Sequence, residues 1–405
     1  MKKLLLIIIT LTLSFIARAQ VPHLHEYEYP VITEENPQIR VLLDSVSEDS
    51  IKASIEHLSS YWNRRYDSRY IWDVQDWLVE RYYQMGVDTV MLHDFPIPNS
   101  DIETADNVLA IQWGTKTPNE FVICGAHYDS WNSDGADPDT IRSPGADDNA
   151  SGVAGILETA RLLSHYTFDR SIIYANWSAE EIGLVGSAAY AKECAEQDMA
   201  IVGYFNLDMT GYLEEGVSMR VHLVYVNQDS LLANLYYNFG AIYYPEMRIS
   251  QNWMPWGDSD FSSFNRNGYA ALHPFENVYH SSPFIHTRQD ILGVSVNSLE
   301  QSRQFTQLNL GVVATLAGIN GLSVPENESA HVGLYPNPAK EVVNIVAEEG
   351  LLKVRVYNLL GQQIESKKLC GENKYILTTN SLVSGIYVIQ IVTEKGIAAR
   401  RLVVE

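Results

Sequence analysis

Between residues 50 and 318 the chain alternates between two hydrophobic periods. Ile51, Ile55, Leu58 and the Tyr61/Trp62 pair recur at helical spacing and predict a helix over 50–66. A second is expected over 70–85, with Gly86 as its stop. Short apolar runs then predict strands at 87–92, 107–113 and 120–125, with the polar turn GTKTPN between the last two. The alternation continues as helix 152–164, strand 170–177, a helix ending near Glu196, strands 199–209 and 221–226, and helix 230–243. A tryptophan-rich loop (Trp253, Trp256) follows, then a short helix at 261–267, a strand at 269–275, an irregular polar loop at 277–293 and a closing helix over 296–318. Residues 20–46 show no clear period and predict an extended arm. Strands interleaved with helices argue an α/β fold, a mostly parallel twisted sheet flanked by helices.

The pattern changes after residue 320. GLSVPENESAH over 321–331 reads as a linker, and from 332 to 405 the chain has only alternating runs, at 342–346, 352–357, 363–369, 375–377, 385–392 and 398–404. Turn residues separate them, which predicts a small all-β sandwich. At the other end, MKKLLLIIITLTLSFIARAQ has a basic start, an apolar run and a small-x-small site, so 1–19 is read as a signal peptide. Its apolar run is short for a membrane span, and no later segment is long and apolar enough. Two domains suit a chain of 405 residues.

Charge removes one class of function. The net charge is −22, and residues 331–405 carry nine Lys/Arg against seven Asp/Glu, so the acidic excess lies before the linker. Such a chain has no electrostatic footprint for nucleic acid. It is slightly biased toward cationic ligands, though most of the charge reads as a solvated surface. The three cysteines, Cys124, Cys194 and Cys370, are too few for a disulfide framework and are not spaced as a zinc cluster. Cys124 and Cys194 are expected in the core, with one bridge between them left open.

The chemistry-bearing residues gather at the carboxyl ends of the predicted strands, where open α/β sheets form their sites. These are His127, Asp147, the Glu180/Glu181 pair, Asp208 and, from the last loop, His286. Carboxylates brought together in a buried place repel unless neutralised, and two divalent cations would do so. Imidazole and carboxylate donors without thiolate suit zinc or a similar metal, and one carboxylate between two ions lets five side chains build two open sites. Adjacent glutamates point in different directions, so one can ligate while the other serves as general base toward water. Asp129, two residues beyond His127, is placed to hold the other imidazole N–H. His165, His222, His273 and His280 fall on no comparable pattern and are read as structural, as are the loop acids Asp134, Asp137 and Asp139.

The set GAHYDSW, SPGADDNASG, SAEEIGLVGS, NLDMTGY and IHTRQD resembles the secreted di-zinc aminopeptidases of the bacterial leucyl aminopeptidase type, over about residues 50–320. The resemblance implies a zinc exopeptidase-like catalytic domain over 20–320 that removes N-terminal residues from peptides with a free N-terminus. By it, His127 and Asp208 hold one zinc ion, Glu181 and His286 the other, and Asp147 bridges them, with a cis peptide before Asp148. Glu180 is then the general base and Asp129 the residue that orients His127. Two features depart from the commoner pattern. Asp258-Ser259-Asp260-Phe261 stands where many members have Arg-Ser-Asp-His, and Trp256 is the residue best aligned with the tyrosine that some members use to steady an oxyanion. Rival readings on the same scaffold are a glutaminyl cyclase with one zinc, a carboxypeptidase served by Arg142, Arg266 and Arg288, and a non-catalytic surface binding protein. The tail segments LYPNPAKEVVNI, VRVYNLLGQQI and SLVSGIYVIQI resemble the C-terminal sorting domain of type IX secretion cargo, over 332–405. That implies export through the periplasm, engagement of the type IX machinery, and release or attachment at the cell surface after the tail is removed.

Overall fold

The computed structural model describes residues 23–98, 100–135, 137–253, 257–322, 332–358, 363–393 and 396–404. The expected signal peptide and the 323–331 part of the linker lie outside them. The helices are α1 (Pro37–Asp44), α2 (Glu48–Ser60), α3 (Ile71–Gln84), α4 (Gly152–Leu163), α5 (Val185–Glu196), α6 (Ser230–Tyr243), α7 (Phe261–Arg266) and α8 (Leu299–Ala317). The strands before the linker are β1 (Thr89–Pro96), β2 (Thr104–Gln112), β3 (Thr117–His127), β4 (Tyr166–Phe168), β5 (Arg170–Trp177), β6 (Ala200–Asn206), β7 (Arg220–Tyr225), β8 (Arg248–Trp253), β9 (Ala271–Phe275) and β10 (Ile319–Leu322). After it come β11 (Val332–Tyr335), β12 (Val342–Tyr357), β13 (Gln363–Thr378), β14 (Gly385–Thr393) and β15 (Gly396–Val404).

Eight strands form one sheet in the order β1-β2-β5-β3-β6-β9-β7-β8. Its centre, β5-β3-β6-β9, is parallel, β7 and β8 are also parallel to one another, and antiparallel pairings occur at β1/β2, β2/β5 and β7/β9. Period-two alternation along β3 sorts its side chains between two cores. Val122, Cys124 and Ala126 pack with α2, α3, α4 and α8, whereas Phe121 and Ile123 pack with α5 and α7. Cys124 and Cys194 are therefore on opposite faces of the sheet, which is why both are free and the bridge left open above does not form. From β3 the chain runs through α4 to β5 on one side, then through α5 to β6 on the other. The carboxyl end of β3 is thus a switch point, the place where a crevice opens.

Several elements were not expected, among them the short strands β4, β10 and β11, a helix in the arm and a strand in the tryptophan-rich loop. The arm has an α-helix, α1, opened by Asn36, whose side chain accepts from the Gln38 N–H, with Pro37 in the first turn. The tryptophan-rich loop is in part strand β8, an edge strand lying parallel to β7. The C-terminal unit is all-β as expected. Its five strands belong to one antiparallel sheet, in which β12 pairs with β11, β13 and β14 and changes register between Val346 and Leu351.

Candidate metal centre

Three adjacent strands and two loops deliver the candidate residues to one edge of the sheet. β3 ends on His127, the Glu180/Glu181 pair follows β5, and Asp208 follows β6. The turn after Gly145 brings Asp148, and the loop after β9 brings His286. Two groups of potential ligands result, His127-Asp148-Asp208 and Asp148-Glu181-His286, each with donor atoms within 4.8 Å of one another. Asp148 belongs to both. Its Oδ1 lies 3.2 Å from His127 Nε2, and its Oδ2 lies 3.0 Å from His286 Nε2. Asp208 Oδ1 is 3.4 Å from His127 Nε2, and Glu181 Oε2 is 3.0 Å from His286 Nε2.

This corrects the expectation for Asp147. Its carboxylate turns away from both histidines and accepts from the Gly211 N–H at 2.8 Å. The reason is local backbone. The segment Ala146–Ser151 is not a regular helix start: Asp148 (φ −107°, ψ 90°) and Asn149 (φ −137°, ψ 44°) are non-helical, which re-aims the second aspartate into the crevice. The cis bond is also one residue later than expected, between Asp148 and Asn149. Left-handed backbone recurs beside the site, at Ala179, Leu184, Met209 and His286, with φ from 56° to 62°. Such conformations in non-glycine residues persist only where the surroundings hold them.

The holding groups are a layer that sequence reasoning largely missed. Arg64, fully buried, donates to the carbonyls of Tyr128 at 2.9 Å, Gly145 at 2.8 Å and Leu58 at 3.0 Å, and to that of Pro144, so one guanidinium ties the end of β3 to the Asp148 turn. Gly145 sits at φ +52°, and a Cβ there would meet Asp148 O, Ser130 Cβ and Arg64 Nη2 at 2.5, 2.6 and 2.8 Å. Asp290, at the end of the IHTRQD motif, accepts from the Asp147 N–H at 2.8 Å and the Asp148 N–H at 3.1 Å. Asp129 lies 3.5 Å from His127 Nδ1, and its two oxygens also accept from the Glu180 and Glu181 N–H groups at 3.1 and 3.3 Å. Asn107 grips the same loop at both ends: its Oδ1 accepts from the Ser178 N–H and its Nδ2 donates to the Gly186 carbonyl, each at 3.0 Å. Ser259 donates to Asp208 Oδ2 at 2.6 Å.

The electrostatics are those of a site made for cations. Asp208 Oδ1 and Glu181 Oε1 are buried with no hydrogen-bond partner. Unpaired buried carboxylate oxygens are costly, and a divalent ion would satisfy both, so the donor set fits zinc. Protons stand in part for that charge. Hydrogen bonds that His286 donates to Asp148 and Glu181 push it up to about 10. Burial would lower His127, but Glu180, Asp208, Asp129 and Asp148 together raise it well above its ordinary value. Burial acts to raise Asp148, and the two imidazoles overcome it and hold that carboxyl low. Glu180 is raised well above the usual carboxylate range by burial, with Asp260, Asp208 and Glu181 adding to the effect and His127 opposing it. Its Oε2 lies 4.0 Å from His127 Nε2.

A cleft of about 650 Å³ opens over the site. Asp148, Glu180, Glu181, Asp208 and His286 form its floor, and Leu184, Met209, Val224, Phe275, Val278 and Ile285 give it apolar walls. Asp258 and Arg266 stand in its lining, and Arg266 is the one arginine there among the described residues. Phe261 occupies the position where related sequences were expected to carry histidine, and its ring stacks on His273 at 5.5 Å. Trp256 lies outside the described residues. His165 and His280 are exposed, and neither belongs to the two ligand groups. The 130–143 loop supports the site through backbone: the Ser133 N–H donates to the His286 carbonyl at 2.9 Å. Its acids Asp134 and Asp139 pair instead with Arg288 and Arg69.

Residues 107–309 match the family model described as peptidase family M28. The chain belongs to that family. The M28 match spans every residue of the two ligand groups. Leucine aminopeptidase 1 of Arthroderma gypseum is 28% identical over 305 residues, spanning 71% of this chain and 79% of that protein. The crystal structure of the Legionella pneumophila LapA aminopeptidase is similar at a TM-score of 0.62 and 25% identity, covering 73% of this chain and 78% of that one. The fold is shared with Porphyromonas gingivalis glutaminyl cyclase, at a TM-score of 0.53 and 18% identity, covering 66% of this chain and 98% of that one. Beyond the M28 region, residues 333–405 match the model of a secretion system C-terminal sorting domain. No helix among the described residues is long and apolar enough to cross a membrane.

Proposed function

We propose that this M28 peptidase is an exported zinc aminopeptidase that cleaves the N-terminal residue from peptides with a free amine. The observation that carries the reading is Asp148, whose two carboxylate oxygens face two separate histidine-carboxylate groups. That arrangement suits two zinc ions: His127 and Asp208 would hold one, Glu181 and His286 the other, and Asp148 both. Zinc bound there would supply Lewis acidity toward the scissile carbonyl and make water at the site more acidic.

The chain's own residues do the rest. Glu180, beside the ligand groups and not itself in either of them, takes a proton from the attacking water and returns it to the leaving amine. Its raised affinity for a proton suits a group that must both accept and give one. Asp129 holds the His127 ring and the backbone of both glutamates, so base and ligands keep a fixed relation. The apolar walls exclude water from the side chain of the first residue. Residues 20–320 form the catalytic unit in this reading, and 332–405 direct the chain to the type IX machinery, with release or attachment outside the cell.

The test compares hydrolysis of free and N-acetylated aminoacyl amides, with and without a chelator. Cleavage only of free-amine substrates, abolished by chelation, is expected, and turnover of the blocked ones would overturn the reading. Glu180→Gln should lower kcat by about 10²–10⁴-fold while zinc stays bound. A metal assay should find two zinc ions per chain. A single ion, with cyclisation of N-terminal glutamine in place of hydrolysis, would turn the reading toward a glutaminyl cyclase.

A further inference from the structure

The core on the α5 face of the sheet does not stop at the sheet. It takes in Tyr357 and Val388 of the C-terminal unit together with Met91, Trp113 and Phe121. The Tyr357 ring stacks on the Trp113 indole with centroids 4.1 Å apart and planes 21° from parallel. Trp113 meets Phe121 edge to face at 6.3 Å. Tyr357 has no exposed surface, and Trp113 keeps only 8% of its own. Beside the stack, Asn358 Nδ2 donates to Gln197 Oε1 at 2.7 Å. A tail joined only by a flexible tether would leave both rings in water, whereas a fully buried stacked pair between two units is a specific contact.

Its place in the fold gives it meaning. Trp113 directly follows Gln112, which pairs with Ile172 near the start of β5. Phe121 lies toward the start of β3, and Gln197 directly follows α5 as its C-cap. All three sit at the amino ends of the central strands. His127 is six residues beyond Phe121 on the same strand, about 20 Å away at strand rise. The C-terminal unit is therefore seated at the end of the sheet remote from the crevice, and neither Tyr357 nor Val388 lines the cleft.

We infer that the C-terminal unit is docked on the catalytic unit through Tyr357 on Trp113, and that this dock leaves the site open, so the chain is a competent peptidase before its tail is removed. The activity half of this inference rests on the function proposed above, and the docking half does not. The experiment places a protease site in the 323–331 linker of the full chain. It measures kcat/KM before and after cutting, and records small-angle scattering of the uncut chain beside its Tyr357→Ala, Tyr357→Phe and Trp113→Leu variants.

The expected result is kcat/KM unchanged within about twofold on cutting. The wild-type and Tyr357→Phe chains should scatter as one compact body. Tyr357→Ala and Trp113→Leu should both show a larger radius of gyration, because removing either ring removes the stack, and circular dichroism should show both still folded. Wild type and the two truncating variants scattering alike would overturn the dock. A tenfold or greater rise in kcat/KM on cutting, about 1.4 kcal/mol in the transition state, would overturn the open site and make the tail an inhibitor. Should neither form hydrolyse any substrate, the proposed function falls while the scattering still decides the dock.

Discussion

Asp148 and Asp147 are chemically identical neighbours with opposite surroundings, and the contrast makes a sharp test. Asp148 lies against both histidines, while Asp147 accepts from Gly211 and is raised well above the carboxylate range by burial and by Asp290. Asp147→Asn puts a neutral isostere where burial already raises the acid's affinity for a proton and where neither ligand group is touched, so zinc content should stay at the wild-type level. Asp148→Asn removes the shared ligand and should deplete both sites in a metal assay; loss of zinc in Asp147→Asn alone would reverse the assignment. Asp290→Asn should act through Asp148, since the Asp290 carboxylate fixes the two preceding N–H groups. Partners one step removed from a metal are typically worth about 10–100-fold in affinity, so zinc titration of Asp290→Asn should show a loss of that order. A fall in thermal stability with unchanged zinc affinity would make Asp290 merely structural. The motif ADDN could not decide between its two aspartates, because the choice is made by the dihedrals of Asp148 and Asn149 and by Asp290, more than 140 residues away. The histidines and the Glu180/Glu181 pair were legible because each terminates or directly follows a clearly patterned strand, or sits in a distinctive loop.

The loop from Ser178 to Gly186 is the element on which both glutamates ride, and it is held from below. Asn107 on β2 grips its two ends and Asp129 grips its middle. Asn107→Ala leaves the buried Ser178 N–H without its partner, which costs about 1–3 kcal/mol of stability. It should also lower kcat/KM by about tenfold or more, because misplacing a catalytic group by an ångström is itself expensive. Chemical denaturation and steady-state kinetics on the same preparation check this, and full activity in a destabilised variant would contradict it. Elements of this kind were partly readable. Strand β5 is a continuous buried run and helix α6 carries buried positions at helical spacing, and both fall where the pattern put them. Helix α1 is only eight residues long, and its Asn-Pro start was the available signal. Edge strand β8 shows no clean alternation of buried and exposed positions, so periodicity had little to register. Asn107 itself lies in a mostly buried strand, where nothing local distinguishes a gripping side chain from a packed one.

Across the whole catalytic unit, the surplus of buried acids ties stability to pH and to metal together. Burial pushes Glu181 up to about 8, Asp260 to about 7 and Asp290 to about 6, while the hydrogen bonds His286 donates to Asp148 and Glu181 raise it to about 10. Each of these folded values lies above the ordinary one, so each group contributes stability that is full below its unfolded value and is lost as pH rises through the folded value. Asp148 is lowered, so its contribution is present above the ordinary aspartate range and is lost only on stronger acidification. From pH 5 to 8 the raised groups therefore set the slope, and the metal-free protein should lose stability steadily as they give up protons. Zinc reverses the logic, because it binds the deprotonated ligands and neutralises them, and its affinity rises with pH. The gap in Tm between zinc-loaded and chelator-treated protein should widen from pH 5 through 6.5 to 8. Calorimetry at those three values decides the matter, and a gap that stays constant or narrows would mean that the buried acids are neutralised by something other than bound cations.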